Sequence, residues 1–238
     1  MRKIDCSNSY LKNQVRKNFA KAVLSILTFC VIVFALTLRI LSALQVNTLE
    51  EVGLLLSVIP LIGFYFYLHK YRIYSGGLKG EKVVTKLLTS NLSDEYYLLN
   101  NLYLHDGGGD IDHIVLGPNG VFVLETKNWS GKIFCNGDEW QKVGKRNFSS
   151  SPSRQVKRNA LKIKKLIDNS TNLRVLGIWV EGIVVLTNNH ASLQLNNPTV
   201  PILKLSQLLN HIAADRSLRS ISSKQLETIE KEIIKQKR

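Results

Sequence analysis

Residues 109–129 read GDIDHIVLGPNGVFVLETKNW. Two apolar, β-branched runs, 111–116 and 121–127, flank Gly117-Pro118-Asn119-Gly120, a hairpin signal. A four-residue loop pairs positions whose numbers sum to 237 and sets Asp112 against Glu125. A tight Asn119-Gly120 turn makes the sum 239 and sets Asp112 against Lys127. Strand faces alternate with period two, so both registers gather Asp112, Glu125 and Lys127 on one face. A three-residue loop would instead set Asp112 against Thr126.

Working outward, strands alternate with turns and then with helices. A strand is expected at 96–104. Two more, 132–135 and 139–143, flank Asn136-Gly137. A helix follows Ser151-Pro152, with Val156, Ala160, Ile163 and Ile167 as its apolar stripe. Residues 175–186 read as one or two buried strands. Helices are expected near 205–213 and 222–237. Upstream, Val84, Leu87, Leu88 and Leu92 recur at helix spacing after Ser75-Gly76-Gly77. The soluble part is therefore α/β.

Directly opposed carboxylates sit with Cβ atoms about 4.5–5.5 Å apart and repel across a sheet. Solvent, Lys127 or a bound cation could offset that repulsion. Oxygen ligands at this spacing suit Mg²⁺ or Mn²⁺, the hydrated ion completing its shell with waters and substrate phosphate. Lys127 could then orient a water. The alternative is a set of ordinary solvated strand residues. Glu81 lies on the apolar stripe of its helix, where a carboxylate is costly unless paired or metal-bound. A first-turn glutamate favoured by the helix dipole is the competing explanation.

Two apolar runs precede this domain. Residues 22–38 and 52–68 each hold 17 positions without a charge. At a 1.5 Å rise each spans roughly 25 Å, just short of a hydrocarbon core. Flanking residues extend them to spans at about 20–40 and 52–71. Buried soluble helices, or a cleaved signal peptide for the first run, are the alternatives. Lysine and arginine cluster before the first run and after the second, against Arg39, Glu50 and Glu51 between them. The positive-inside rule then gives a multi-pass cell-membrane protein with both termini cytoplasmic. Three cysteines outside any CxxC pair (Cys6, Cys30, Cys135) suit a reducing compartment and exclude a disulfide scaffold.

The net charge of +14 is unevenly spread. Residues 1–21 hold six basic residues and one acid, and 128–165 hold ten and two. The second block includes Lys142, Lys145, Arg146, Arg154, Lys157 and Arg158, much of it on the outer face of the helix after Ser151. Such a face can contact phosphates without reading sequence. A solvated helix or contact with an anionic leaflet would produce the same pattern. Trp129 and Trp140 flank the third strand and suit core packing before base stacking. His113 points opposite to Asp112 and reads as packed.

The run GEKVV at 80–84, the stretch 109–133, Trp140 and SPSRQV at 151–156 together resemble the nuclease-related domain (NERD) family. That family is similar to the PD-(D/E)XK nuclease superfamily. The resemblance covers 76–205, leaving 1–75 as a basic segment with two membrane helices and 206–238 as C-terminal helices. It implies a restriction-endonuclease-like mixed sheet flanked by helices, which the two apolar runs would precede as an N-terminal transmembrane hairpin. It also implies metal-dependent phosphodiester hydrolysis of nucleic acid, DNA before RNA. Asp112 matches the motif aspartate, Glu125 and Lys127 the acid and lysine of the ExK element, and Glu81 the helical glutamate. Asp112, Glu125 and Glu81 are the implied metal ligands, and Gln155 matches a glutamine opening the next helix. A non-catalytic nucleic-acid-binding or lipid-binding protein that keeps the fold is the alternative function.

Overall fold

The computed structural model describes all residues except 6–9, 44–47, 105–109, 145–147, 149, 171–176, 215–219 and 237–238, and omits the side chains of 40–43, 48–51 and 54. The chain divides into two compact units, residues 9–78 and residues 1–8 with 79–238.

In the larger unit the turn at Pro118-Asn119 joins β3 (Asp110–Gly117) to β4 (Gly120–Lys127). Gly120 has φ +144°, and a Cβ there would come within 3.3 Å of the Trp179 carbonyl oxygen. Only glycine closes this turn without strain. The register runs from Gly117 opposite Gly120 to His113 opposite Leu124, which is the 237 alternative. β4 is buried along almost its whole length, as its unbroken Val-Phe-Val-Leu run requires.

Strands add on both sides of this pair. β2 (Tyr97–Tyr103) lies antiparallel to β3, and β1 (Arg2–Asp5) lies parallel to β2. On the other side β7 (Val180–Leu186) lies parallel to β4, and β9 (Ile202–Lys204) parallel to β7. The sheet order is thus β1-β2-β3-β4-β7-β9. A second sheet, β6-β5-β8, is built from β5 (Gly131–Asn136), β6 (Glu139–Lys142) and β8 (Ala191–Asn196).

Helices cover both faces of the large sheet. On one face α3 (Pro152–Asn169) buries Val156, Ala160, Ile163 and Ile167 against Ile114, Val123 and Val184. Its start is set by Ser151, which accepts the Arg154 N–H, and by Pro152, whose missing donor costs nothing there. α5 (Ser223–Lys235), with a Ser222/Gln225 capping box, adds Leu226, Ile229 and Ile233 to the same core. On the other face Val84 and Leu88 of α2 (Thr48–Asn91) and Leu208 and Ile212 of α4 (Leu205–Ala213) meet Leu98, Val115, Phe122 and Leu124. The result is a mixed sheet between helical layers.

Three sequence expectations change here. α2 runs unbroken through Ser75-Gly76-Gly77, so no helix begins there. Residues 2–5, read only as part of a basic topology signal, form a sheet strand. β8 and β9 were not anticipated.

In the smaller unit α1 (Tyr10–Ala43) packs antiparallel on the first part of α2. Phe19 meets Tyr71 with ring centroids 5.6 Å apart, Lys21 Nζ sits 5.0 Å over the Tyr67 ring, and Ser25 faces Gly63. Leu24, Leu27, Val31, Phe34 and Leu38 point outward into exposure. Among the described residues one helix, Tyr10–Arg39, is long and apolar enough to cross a membrane. The second apolar run, 52–71, lies on α2 around Pro60 and does not meet that criterion among the described residues. A helical hairpin is present, while the pair of spans is not established.

Candidate active site

The β3–β4 ladder ends at His113–Leu124, and Asp112 and Glu125 follow at the next position. There the Asp112 carboxylate takes over the strand's role, with Oδ2 accepting the Thr126 N–H at 2.7 Å. Glu125, 2% exposed, is held by Lys127, whose Nζ donates to Oε1 at 2.5 Å. The period-two geometry put both residues on one face of β4, as the contact confirms. Glu125 Oε2 is buried and has no hydrogen-bond partner among the described residues.

Glu81 enters from α2 and is 7% exposed. It lies well inside that helix, so no helix terminus explains its placement. Its approach depends on Gly80. A Cβ at that position would come within 2.9 Å of Thr187 Oγ1 and 3.2 Å of Asn128 Cβ, at the ends of β7 and β4. Glycine therefore lets the helix settle onto the strand ends.

The charges interact strongly. Burial, then the charges of Asp112, Glu125 and Asp110, push the Glu81 carboxyl up to about 8 against a pull from Lys127. Burial and Asp112 push Glu125 up to about 8, opposed by Lys127 and Arg158. Burial raises Asp112 to about 6, with Lys127 and the Thr126 N–H holding it down. Burial alone would lower Lys127, but Glu125, Asp112 and Glu81 together raise it above the usual lysine range. Three carboxyl groups and one lysine thus share one field, and full ionisation would put more negative charge there than Lys127 neutralises, so the site holds its carboxyls back from ionising. Burial also raises Asp110, on the same face of β3 as Asp112.

Among the described residues no three of His, Cys, Asp and Glu are grouped closely enough to hold an ion on their own. Mg²⁺ commonly takes one or two carboxylates and fills its remaining positions with water or phosphate oxygen. The buried, unpartnered Glu125 Oε2 and the second Asp112 oxygen fit that donor set.

His113 lies on the opposite face and is 1% exposed. Its Nδ1 sits 2.7 Å from Asn100 Oδ1, an oxygen that can only accept, so Nδ1 carries the proton. Asn100 in turn donates to Asp5 of β1 at 3.3 Å. Burial holds the imidazole down to about 3, which keeps it neutral. Gln155 sits half-buried in the first turn of α3. Among the described residues its side chain makes no hydrogen bond to the carboxylates.

The basic residues divide. Lys157 pairs with Asp138 at 2.6 Å, and Arg154 approaches the same carboxylate at 4.0 Å. Arg158 is close enough to lower Glu125. Lys142 ends β6, with its Cε 3.2 Å from where a Gly131 Cβ would stand. Lys145 and Arg146 lie outside the described residues. Trp140 is buried and donates through Nε1 to Ser153 Oγ at 2.9 Å. Trp129 stacks on Phe148 at 3.7 Å and 8°, beside Lys127. Asp138 was not foreseen as the anchor of two α3 cations, since it lies in the β5–β6 turn with no periodicity linking it to that helix. Gly80 was legible as part of GEKVV but not as a contact.

Residues 76–187 match the nuclease-related domain family, which supports a domain of that kind in this stretch. An uncharacterized protein of Bacillus anthracis is 44% identical over 61 residues, covering 24% of this chain. The match spans 29% of the length of that relative. No solved structure matches the chain significantly.

Proposed function

We propose that the protein is a membrane-anchored, metal-dependent nuclease acting at the cytoplasmic face, with a restriction-endonuclease-like fold. The observation that carries this reading is the convergence of buried Glu125 and Glu81 with half-buried Asp112 and Lys127, Glu125 Oε2 having no hydrogen-bond partner among the described residues. Buried carboxylates in excess of their cation are costly in an apolar interior unless a further positive charge joins them. Asp112 and Glu125 would hold Mg²⁺ or Mn²⁺, with Glu81 beside them. Such an ion supplies Lewis-acid polarisation of a phosphodiester oxygen and a more acidic bound water. Lys127, kept charged by its three carboxyl neighbours, would orient that water or neutralise charge on the phosphate. Gln155 opens the helix whose cations, Arg154, Lys157 and Arg158, meet the nucleic-acid backbone together with Lys142.

The membrane reading draws on β1. Arg2–Asp5 pairs with β2 inside the α/β unit, so residues 1–8 and 79–238 share one side of any bilayer. The intervening chain then crosses an even number of times. Given the apolar Tyr10–Arg39 helix, that supports two crossings, the second by the run at 52–71. Flanking lysines and arginines favour the cytoplasm for both ends.

The test is cleavage by the full chain in neutral detergent, because a fragment starting at 76 would lose β1. Single- and double-stranded DNA and RNA are offered with Mg²⁺ or Mn²⁺. Cleavage, stronger on DNA and lost in Asp112→Ala and Lys127→Ala, is expected. No cleavage, or cleavage unchanged in either variant, sinks the enzyme reading.

A further inference from the structure

A cavity of about 710 Å³ opens beside α3, bordered also by the end of β2 and the C-terminal end of α5. Five α3 cations line it, together with Leu104, Leu161 and Leu166. Arg158, Leu161, Lys162 and Lys165 stand at i, i+3, i+4 and i+7, so they share one helix face. Leu161 therefore sits in the middle of a cationic stripe, and it is 61% exposed. The core stripe of α3 runs through Val156, Ala160, Ile163 and Ile167, so folding gives Leu161 no role.

A merely solvated helix face would carry polar residues here. A duplex backbone would be met by the cations alone, since paired bases keep their faces inside the stack. A ligand that engages both the cations and the leucines must present anions and an uncovered apolar face within one cavity. An unpaired nucleic-acid strand does so, with phosphates flanking unstacked bases. Arg158 lines the cavity, and its charge also acts on Glu125. The stripe lies on the face of α3 turned away from Val156, Ile163 and the sheet. An acidic lipid headgroup would match the same cations, but the nuclease reading supplies a strand as the ligand.

We infer that this cavity seats an unpaired strand, with a base against Leu104, Leu161 and Leu166 and its neighbouring phosphates on the α3 cations. Resting on the nuclease reading above, it makes single-stranded or frayed nucleic acid the preferred substrate.

The test is fluorescence anisotropy with the full chain in neutral detergent and EDTA, so that binding is read without cleavage. The probe is one short DNA strand, alone and annealed to its complement. The single strand should bind more tightly than the duplex. Leu161→Ser, at an exposed position, should weaken single-strand binding by about five- to tenfold and leave duplex binding unchanged. Lys165→Ala should weaken both and reduce the salt slope by about one. Equal or tighter duplex binding, or an unaffected Leu161→Ser protein, overturns the inference. So does Leu161-dependent capture of phosphatidylglycerol vesicles by a protein that does not bind the strand. The two readings separate cleanly. Cleavage with no strand preference in binding removes this inference and keeps the nuclease. Leu161-dependent strand binding without cleavage keeps the inference and removes the nuclease.

Discussion

The two units of this chain break opposite rules. Residues 9–78 display large apolar side chains outward, Leu24 at 65% and Phe34 at 64% exposure among them. The α/β unit buries most such residues, Leu88, Leu98 and Phe122 at 0% among them, yet also buries Glu81 and Glu125. Each violation is costly in plain water. Under the proposed function each would become favourable in a different surrounding, a bilayer around the first unit and a cation beside the second. Misplaced groups in a fold thus describe the environment it was selected to meet.

The strongest way to break this comparison is Glu125→Gln. Cleavage should fall on the order of a thousandfold, as several kcal/mol of transition-state stabilisation are lost. Without divalent ions its Tm should not fall below that of the parent, since a neutral amide replaces a carboxyl whose anion burial and Asp112 disfavour. A large Tm loss would show that Glu125 is structural.

Paired leucine truncations sharpen the contrast. Leu98→Ala empties a fully buried site and should cost about 2–5 kcal/mol in denaturant unfolding of the α/β unit. Leu27→Ala, at a position 55% exposed, should change that unfolding by less than about 0.5 kcal/mol. Equal costs would mean that Leu27 packs against protein and not lipid. Leu27→Arg extends the comparison, because an arginine at a span centre costs about 2.5–3.5 kcal/mol of insertion. The variant should partition into the alkaline-carbonate supernatant where the parent stays with the membrane.

The smallest effect is a pH dependence. Glu81 and Glu125 rise to about 8 and Asp112 to about 6, above their unfolded values. Raised carboxyl pKa values give stability that is present at low pH and lost as pH climbs through the folded values. Metal-free protein should therefore have a higher Tm near pH 5.5 than near pH 8.5. Mg²⁺ should raise Tm more at the higher pH, where the carboxylates are ionised. A Tm rising with pH in EDTA would contradict the buried cluster.

Much of the central site was legible because a hairpin is a local object. The period-two alternation put Glu125 and Lys127 together, and only the register to Asp112 remained open among three turn geometries. The β3–β4 pairing resolved it, with Gly117 opposite Gly120 and Asp112 taking the Thr126 N–H where the ladder stops. The helix boundary near Ser75-Gly76-Gly77 was misread because glycines lower helix propensity without forbidding it, and the context of α2 prevails. β1, β8 and β9 escaped for a different reason. They are short, edge-placed and partly polar, so no periodicity marks them, and their partners lie far away in sequence. Asp138 and Gly80 act through contacts of the same long-range kind.

The distance along the chain between β1 and its partner has a further consequence. Arg2–Asp5 pairs with Tyr97–Tyr103, and both long helices lie between the two strands. The rung between Arg2 and Tyr97 closes a loop that contains the whole helical unit, and pairings of such long reach form slowly. An edge strand of the sheet is therefore among the last to dock. Its arrival completes the Asp5–Asn100–His113 chain behind Asp112, so the packing of a buried histidine waits on the longest-range pairing in the sheet.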